Sequence, residues 1–206
     1  MRIWKQNLIE TVKLRKQGKP LSFIHTPKCA GSFAKKICND LGIEKIVGHN
    51  LPSDNSAIYF TIIRHPINRF QSLMYYRLSG LFPKGGSCWP PHLIDVIDDD
   101  SVDLDTVLSR MSDAEITGFH PFGTLRYWSS SADIIISIDE MRDLLQSFGF
   151  DLDLKKYPNK LNVSLKTRPP FSKVSRDRLE NIFREDIEFY QKWTREDETV
   201  DILKSA

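Results

Sequence analysis

The run from Ala57 to Ile63 restricts the fold more than any other part of the sequence. After Ala57 every residue in it is β-branched or aromatic, and polar residues do not alternate with apolar ones. Such a pattern is typical of a parallel strand that is buried on both faces. Because parallel strands must be joined by a crossover, usually a helix, the run predicts an α/β fold with this strand at the centre of the sheet.

Two further stretches repeat the order of strand, turn and helix. Leu21 to His25 predicts a short strand, and the apolar residues after it recur every fourth position, as in a helix. Asp133 to Ile138 predicts a third buried strand, followed by a helix for which Gly149 suits the C-terminal cap. After the central run, Pro66 suits the first turn of a helix. The pattern predicts a P-loop-like, three-layer α/β domain with a central parallel sheet flanked by helices.

The length of 206 residues predicts a single domain over 1–206. Residues 1–20 predict an N-terminal helix that ends before Gly18 and Pro20. Residues 80–118 contain Gly-rich, Pro-rich and acidic stretches, and they predict an irregular insertion that contacts substrate. From about Ser175 we expect one final helix with a wide apolar side, formed by Leu179, Ile182, Phe183, Ile187, Tyr190 and Trp193.

Charge and composition exclude several classes of protein. A formal net charge of +2 and an isoelectric point of about 8.4 are too mild for a nucleic-acid-binding protein. The chain has no apolar run long enough to span a bilayer, and its first residues lack the apolar stretch of a signal peptide. Three cysteines without regular spacing do not suggest a disulfide framework. We therefore expect a soluble, cytoplasmic protein with no nucleic-acid partner and no integral membrane segment.

The turn after the first strand has the composition of an anion-binding loop. Gly31 allows close approach of a ligand to the backbone, Ser32 offers a hydroxyl, and Lys28 adds a positive charge. The loop is not a Walker A motif, because its lysine precedes the glycine, and this disfavours an ATP or GTP hydrolase. Cys29 lacks the arginine six residues later that a phosphatase would need, since Lys35 stands there. The acidic run from Asp98 to Asp100 lacks the spacing of metal ligands, so no metal is expected.

Two motifs together resemble the carbohydrate sulfotransferases that use 3′-phosphoadenylyl sulfate (PAPS). His25 to Ser32, His-Thr-Pro-Lys-Cys-Ala-Gly-Ser, is similar to that family's 5′-phosphosulfate loop. Thr61 to Ser72 resembles its 3′-phosphate segment, in which a strand ends in Arg-Asp-Pro and a serine follows eight residues after the arginine. The chain departs from the pattern at His65, which replaces the aspartate, and at Cys29 and Ala30, which replace the commoner Thr and Gly.

The resemblance implies a set of donor-binding residues and extends from about Leu21 to Trp193, except for 80–118. Asp139-Glu140 resembles the start of the family's Glu-x-Leu element, and Asp186 with Tyr190 matches a recurrent Asp-x-x-x-Tyr. Asn162 to Lys166 resembles a late loop that covers the donor. The implied PAPS-binding residues are Pro27, Lys28, Cys29, Ala30, Gly31, Ser32, Phe33, Arg64, Ser72, Ser164 and Lys166.

Catalytic roles are also implied, within the branch that sulfates uronosyl residues, such as the heparan 2-O-sulfotransferases. Gly48-His49 corresponds to a Gly-His that supplies the catalytic base, and His120 resembles part of a His-x-x-Pro element that lines the acceptor pocket. Lys28 would stabilise charge on the leaving oxygen. The expected function is transfer of a sulfuryl group from PAPS to a hydroxyl acceptor, preferably a carbohydrate. A kinase with an atypical phosphate loop and a non-catalytic protein that binds nucleotide or glycan remain as alternatives.

Overall fold

The computed structural model of the chain describes residues 18–43, 45–47, 50–78, 89–97, 101–118, 124–153, 156–157 and 169–194, with 45–47 as backbone only. The N-terminal helix expected over 1–20 therefore lies almost entirely outside the described residues. In the part that is described, no helix has the length and apolar character needed to cross a membrane.

A parallel β-sheet forms the centre of the protein. Its four strands lie in the order β2-β1-β3-β4, and every neighbouring pair is parallel. This arrangement confirms the prediction of an α/β fold with a parallel sheet and with the run before Arg64 in its interior. Strand β2 was not predicted from the sequence. The strands are β1 Leu21–Ile24, β2 Lys45–Val47, β3 Ile58–Ile63 and β4 Ile134–Ser137.

Nine α-helices lie within the described ranges, and short 3₁₀ turns cover Pro91–Leu93 and Ile138–Glu140. The helices that follow β1, β3 and β4 begin close to the predicted positions, and α2 has Pro66 as its first residue. The helices are α1 Gly31–Asp40, α2 Pro66–Leu78, α3 Ile94–Ile97, α4 Leu104–Ser109, α5 Asp113–Gly118, α6 Leu125–Ser129, α7 Met141–Ser147, α8 Lys173–Ile182 and α9 Arg184–Thr194.

Apolar packing covers the sheet and extends beyond it. All six residues of β3 are buried, as expected for a strand covered on both faces. One cluster joins the sheet to α1 and α7, for example through Phe60, Ile37 and Leu144. A second cluster joins α2 to α3, α4 and α8, with Phe70 fully buried among them. Truncation of such a phenylalanine to alanine typically costs about 3–5 kcal/mol, so this second cluster fixes α2 firmly.

The prediction of an irregular segment over 80–118 is wrong for the part that is described. Helices α3, α4 and α5 lie there, and they bury Ile97, Val107 and Ile116 against α2. Asp103 caps α4 by accepting a hydrogen bond of 2.7 Å from the Thr106 N–H. Pro91 begins a 3₁₀ turn, and each of the three helices is too short to show a clear period in the sequence.

The single final helix is also a wrong prediction, because the chain divides it into α8 and α9 at Phe183. The break sends the apolar residues of the two helices to different places. Ile182, Phe183 and Ile187 pack against the cluster around α2, whereas Phe189, Tyr190 and Trp193 pack against the cluster around the sheet. An unbroken helix would present one continuous stripe, and only one of these surfaces could receive it.

Candidate active site

The loops after β1 and β3 leave the sheet side by side. Ile24 pairs with Thr61 across the two parallel strands, so both loops emerge at the same edge. The hydroxyls of Thr26 and Thr61 lie 2.7 Å apart, and the Thr61 hydroxyl also donates to the Ile24 carbonyl at 3.1 Å. Both threonines are fully buried, so these bonds are shielded from water and join the two loops at their base.

The first loop has an unusual backbone conformation. Lys28 and Ala30 both have left-handed backbone angles, with φ of 62° and 61°. Ala30 is the N-terminal cap of α1, and its side chain offers no oxygen to the helix. The first N–H groups of α1 therefore remain available to a ligand, and no acidic side chain lies in that first turn. A helix start of this kind favours a bound anion.

Gly31 is required by the position of His25. A Cβ atom on Gly31 would collide with Cδ2 and Nε2 of the His25 ring, so a side chain at this position would force the ring or the loop to move. The imidazole in turn stacks on Phe23, with ring centres 6.2 Å apart. The His25 ring thus packs against the first residue of α1 and supports the start of this helix. This structural role agrees with the absence of His25 from the expected catalytic residues.

Positive charge concentrates where the two loops meet. Lys28 Nζ lies 4.0 Å from the centre of the Tyr76 ring, in a cation–π contact that joins the first loop to α2. Burial, and secondarily the nearby charge of Arg64, lower the pKa of Lys28 to about 8. Arg64 itself is exposed at the end of β3. Two cations held this close repel each other, so a bound phosphate or sulfate ester would relieve an unfavourable interaction.

Cys29 contributes contacts between the loops but not a nucleophile. The residue is 1% exposed, and burial raises the pKa of its thiol to about 11, although the charges of Arg69 and Arg64 oppose this. The backbone N–H of Arg64 also acts to lower this pKa. Since the nucleophile of a cysteine phosphatase is a thiolate, Cys29 does not suit that role at neutral pH.

One face of α2 is directed at the first loop. Arg69, Ser72 and Tyr76 follow one another at helical spacing, so they lie along the same side of the helix. Arg69 Nε donates a hydrogen bond of 2.9 Å to the carbonyl of Pro27, and Tyr76 holds Lys28. Ser72, half-buried between these two positions, therefore lies on the face that adjoins the loop.

The structure brings together most of the expected donor-binding residues. Several other candidates lie outside the residues that the structure describes. Pro27 and Gly31 are buried, Ala30 and Ser32 are exposed, and Phe33 contacts the Tyr157 ring edge-on at 6.3 Å. His49, His120, Ser164 and Lys166 are outside the described residues. β2 runs parallel to β1 and ends at Val47, at the same edge of the sheet as the ends of β1 and β3.

Three residues that match the family's later motifs, Glu140, Asp186 and Tyr190, make contacts that support the elements around the site. Glu140 accepts a hydrogen bond of 2.5 Å from the Ser137 N–H and so completes a capping box after β4. The Asp186 carboxylate accepts the Leu125 N–H at 3.1 Å, which places α9 at the start of α6. The Tyr190 ring lies edge-on to His65, 5.4 Å away. Asp186 and Tyr190 thus hold α9 behind the second loop.

Sequence reasoning missed two residues of this site, Arg69 and Tyr76. Both were part of the second motif or of the helix after it, yet neither was given a role. The available signal was their spacing from Ser72, which puts all three on one helix face. That spacing does not identify which loop the face meets.

Comparisons with family models, with curated proteins and with solved structures found no match to this chain.

Proposed function

We propose that the chain is a sulfotransferase that moves a sulfuryl group from PAPS to a hydroxyl, with a carbohydrate as the preferred acceptor. The observation that carries the proposal is the junction of two cationic loops at neighbouring parallel strands, with Lys28 and Arg64 close enough to affect each other. A donor with one phosphate group on each side of its ribose needs two such anion sites. The parallel sheet with these loops at its edge also favours the P-loop-like, three-layer description.

In the proposed complex, the first loop and the start of α1 bind the 5′-phosphosulfate. Arg64 and Ser72 bind the 3′-phosphate, because an arginine beside a helix start is well suited to grip a phosphate. Ser164 and Lys166 would cover the donor. His120 would contact the acceptor, and the segment 80–118 would lie on the acceptor side.

The proposed reaction is an in-line displacement at sulfur. The acceptor oxygen forms a bond to sulfur while the bond from sulfur to the 5′-phosphate oxygen breaks. The electron pair of the broken bond stays on that phosphate oxygen, and adenosine 3′,5′-bisphosphate leaves. His49 takes the acceptor proton, and Lys28 stabilises the charge that develops on the leaving oxygen.

Product analysis with labelled donors tests the proposal. The chain is incubated with ³⁵S-labelled PAPS and polysaccharides that contain uronic acid, and in parallel with γ-³²P-labelled ATP and the same acceptors. A sulfotransferase gives ³⁵S-labelled polysaccharide together with adenosine 3′,5′-bisphosphate. Transfer of ³²P alone would identify a kinase, and nucleotide binding without transfer of either label would identify a non-catalytic binding protein.

A further inference from the structure

Arg69 is a charged residue in an environment that opposes charge. It is 1% exposed, and burial is the main influence that lowers its pKa. Burial of a guanidinium group is unfavourable unless hydrogen bonds and an opposite charge compensate it. A buried arginine on α2 therefore needs partners that account for its position.

The first partner lies in the loop proposed to bind the 5′-phosphosulfate. Arg69 Nε donates to the Pro27 carbonyl at 2.9 Å, inside the protein. Because the C=O and N–H of a trans peptide group point in opposite directions, this bond turns the Lys28 N–H away from Arg69. Pro27 also has a fixed φ, and Lys28 follows it with a φ of 62°. The hydrogen bond thus selects one orientation of a peptide group where the chain is already strained.

The second partner lies on α9. Burial raises the pKa of the Asp186 carboxyl and lowers the pKa of Arg69, and the charge of each residue opposes the effect of burial on the other. Asp186 also accepts the backbone N–H of Leu125 at the start of α6. Arg69 is therefore hydrogen-bonded to the first loop and lies within the electrostatic influence of a carboxylate on α9 that is itself bonded to the start of α6.

We propose that Arg69 is a positioning residue for the 5′-phosphosulfate loop, which it acts on by fixing the Pro27–Lys28 peptide group from behind. This role rests on the proposed function, because it assumes that the loop binds the 5′-phosphate of the donor. Arg69 does not touch the ligand. Its effect is confined to the 5′ side, since Arg64 and Ser72 bind the 3′-phosphate independently of the Pro27 carbonyl.

Calorimetry with two ligands isolates this effect in the full chain. Adenosine 3′,5′-bisphosphate and adenosine 3′-monophosphate differ only in the 5′-phosphate, so the ratio of their affinities measures what that phosphate contributes. The ratio is determined for the wild type, for Arg69→Lys, which keeps the charge but lacks Nε, and for Arg69→Met, which removes the charge. Arg77→Lys is the matched control, because Arg77 is also buried and lies on the same helix two turns further on.

We expect both Arg69 variants to reduce the affinity ratio about 10-fold or more. This is the change in affinity that the loss of one hydrogen bond to a charged group produces. Affinity for adenosine 3′-monophosphate should stay within about twofold, and Arg77→Lys should leave the ratio unchanged. Lysine should not restore the affinity ratio, because its flexible side chain lacks the Nε donor that the planar guanidinium group holds in place. If Arg69→Met does not fold, Arg69→Lys alone decides the question.

An unchanged ratio in Arg69→Lys would overturn the positioning role and leave the proposed function intact. Equal weakening of both ligands would also overturn it, since that is the result of a general loss of structure. A wild-type chain that binds neither nucleotide, or that gains nothing from the 5′-phosphate, would overturn the proposed function and this inference with it.

Discussion

The Lys28 ammonium group lies 4.0 Å from the centre of the Tyr76 ring, so the first loop is held against α2 by a charged residue in contact with an aromatic one. Lys28 also has a left-handed backbone conformation, with a φ of 62°. A residue in such a conformation requires support from its surroundings. The ring supplies a surface on which the lysine remains charged although it is half-buried.

Nucleotide affinity should fall above about pH 8 because the pKa of Lys28 is lowered to about 8. Below that pH the lysine is positive and attracts a phosphate, and above it the free protein loses the charge. A bound phosphate raises the pKa of the lysine, so binding between about pH 8 and 10 should take up a proton. Calorimetry in buffers of different ionisation enthalpy measures this uptake. Lys28→Ala should abolish it, and a Lys28→Ala chain that still takes up the proton would assign it elsewhere.

Replacement of Tyr76 by leucine should move this alkaline limb to lower pH. The ring favours the charged lysine by roughly 0.5–1 kcal/mol, which corresponds to a shift of about half a pH unit. Leucine keeps the apolar cover but loses the ring, whereas Tyr76→Phe keeps the ring and should leave the limb in place. The pH dependence of adenosine 3′,5′-bisphosphate affinity in both variants is the measurement. Identical profiles for the two variants would show that the cation–π contact has no effect.

Gly31→Ala should damage the first loop, because the new methyl group would collide with the His25 ring. We expect a loss of about 1–3 kcal/mol in the free energy of unfolding and weaker nucleotide binding. The double variant Gly31→Ala/His25→Ala removes the collision and should recover part of the loss. Gly118→Ala is the control, since nothing lies within 4 Å of its Cβ position. Denaturant unfolding measures all three, and a fully stable Gly31→Ala would contradict the collision.

The regular parts of the fold were predictable because their signals are local. β3 is a pure β-prone run, Pro66 marks the start of α2, and Gly149, with a φ of 86°, follows α7 as predicted. β2 has only three residues, and parallel pairing to β1 rather than its own composition makes it a strand. The break at Phe183 likewise depends on two separate surfaces that the sequence does not reveal.

In the candidate site, too, residues with a local sequence signal were predicted and residues that depend on tertiary contacts were not. Lys28 and Arg64 were predicted from their positions after strands, and they lie close enough for the charge of one to affect the other. Arg69 was not predicted, because its importance depends on the Pro27 carbonyl, 42 positions earlier in the chain. A residue that acts through a distant backbone group has no local signature. Only the tertiary arrangement distinguishes it from an ordinary helix arginine.

Two histidines, His49 and His120, are candidates for the general base. If His49 is the general base, His49→Ala should lower turnover about 10²- to 10⁴-fold while nucleotide affinity stays nearly unchanged. The wild-type rate should also fall in acid as an imidazole with a reference pKa of about 6.5 is protonated. His120→Ala, measured beside it across pH, should keep the acidic limb. If His120→Ala loses the limb and His49→Ala retains normal turnover, the role passes to His120.

The central claim is that the two loops bind an adenosine nucleotide with phosphates on both the 3′ and the 5′ oxygen. The most direct test is calorimetry of the wild-type chain with adenosine 3′,5′-bisphosphate and with ADP, which has the same number of phosphates but none at the 3′ position. If Arg64 makes a charge-assisted contact to the 3′-phosphate, the bisphosphate should bind about 10- to 100-fold more tightly. Equal affinities for the two nucleotides would contradict the claim.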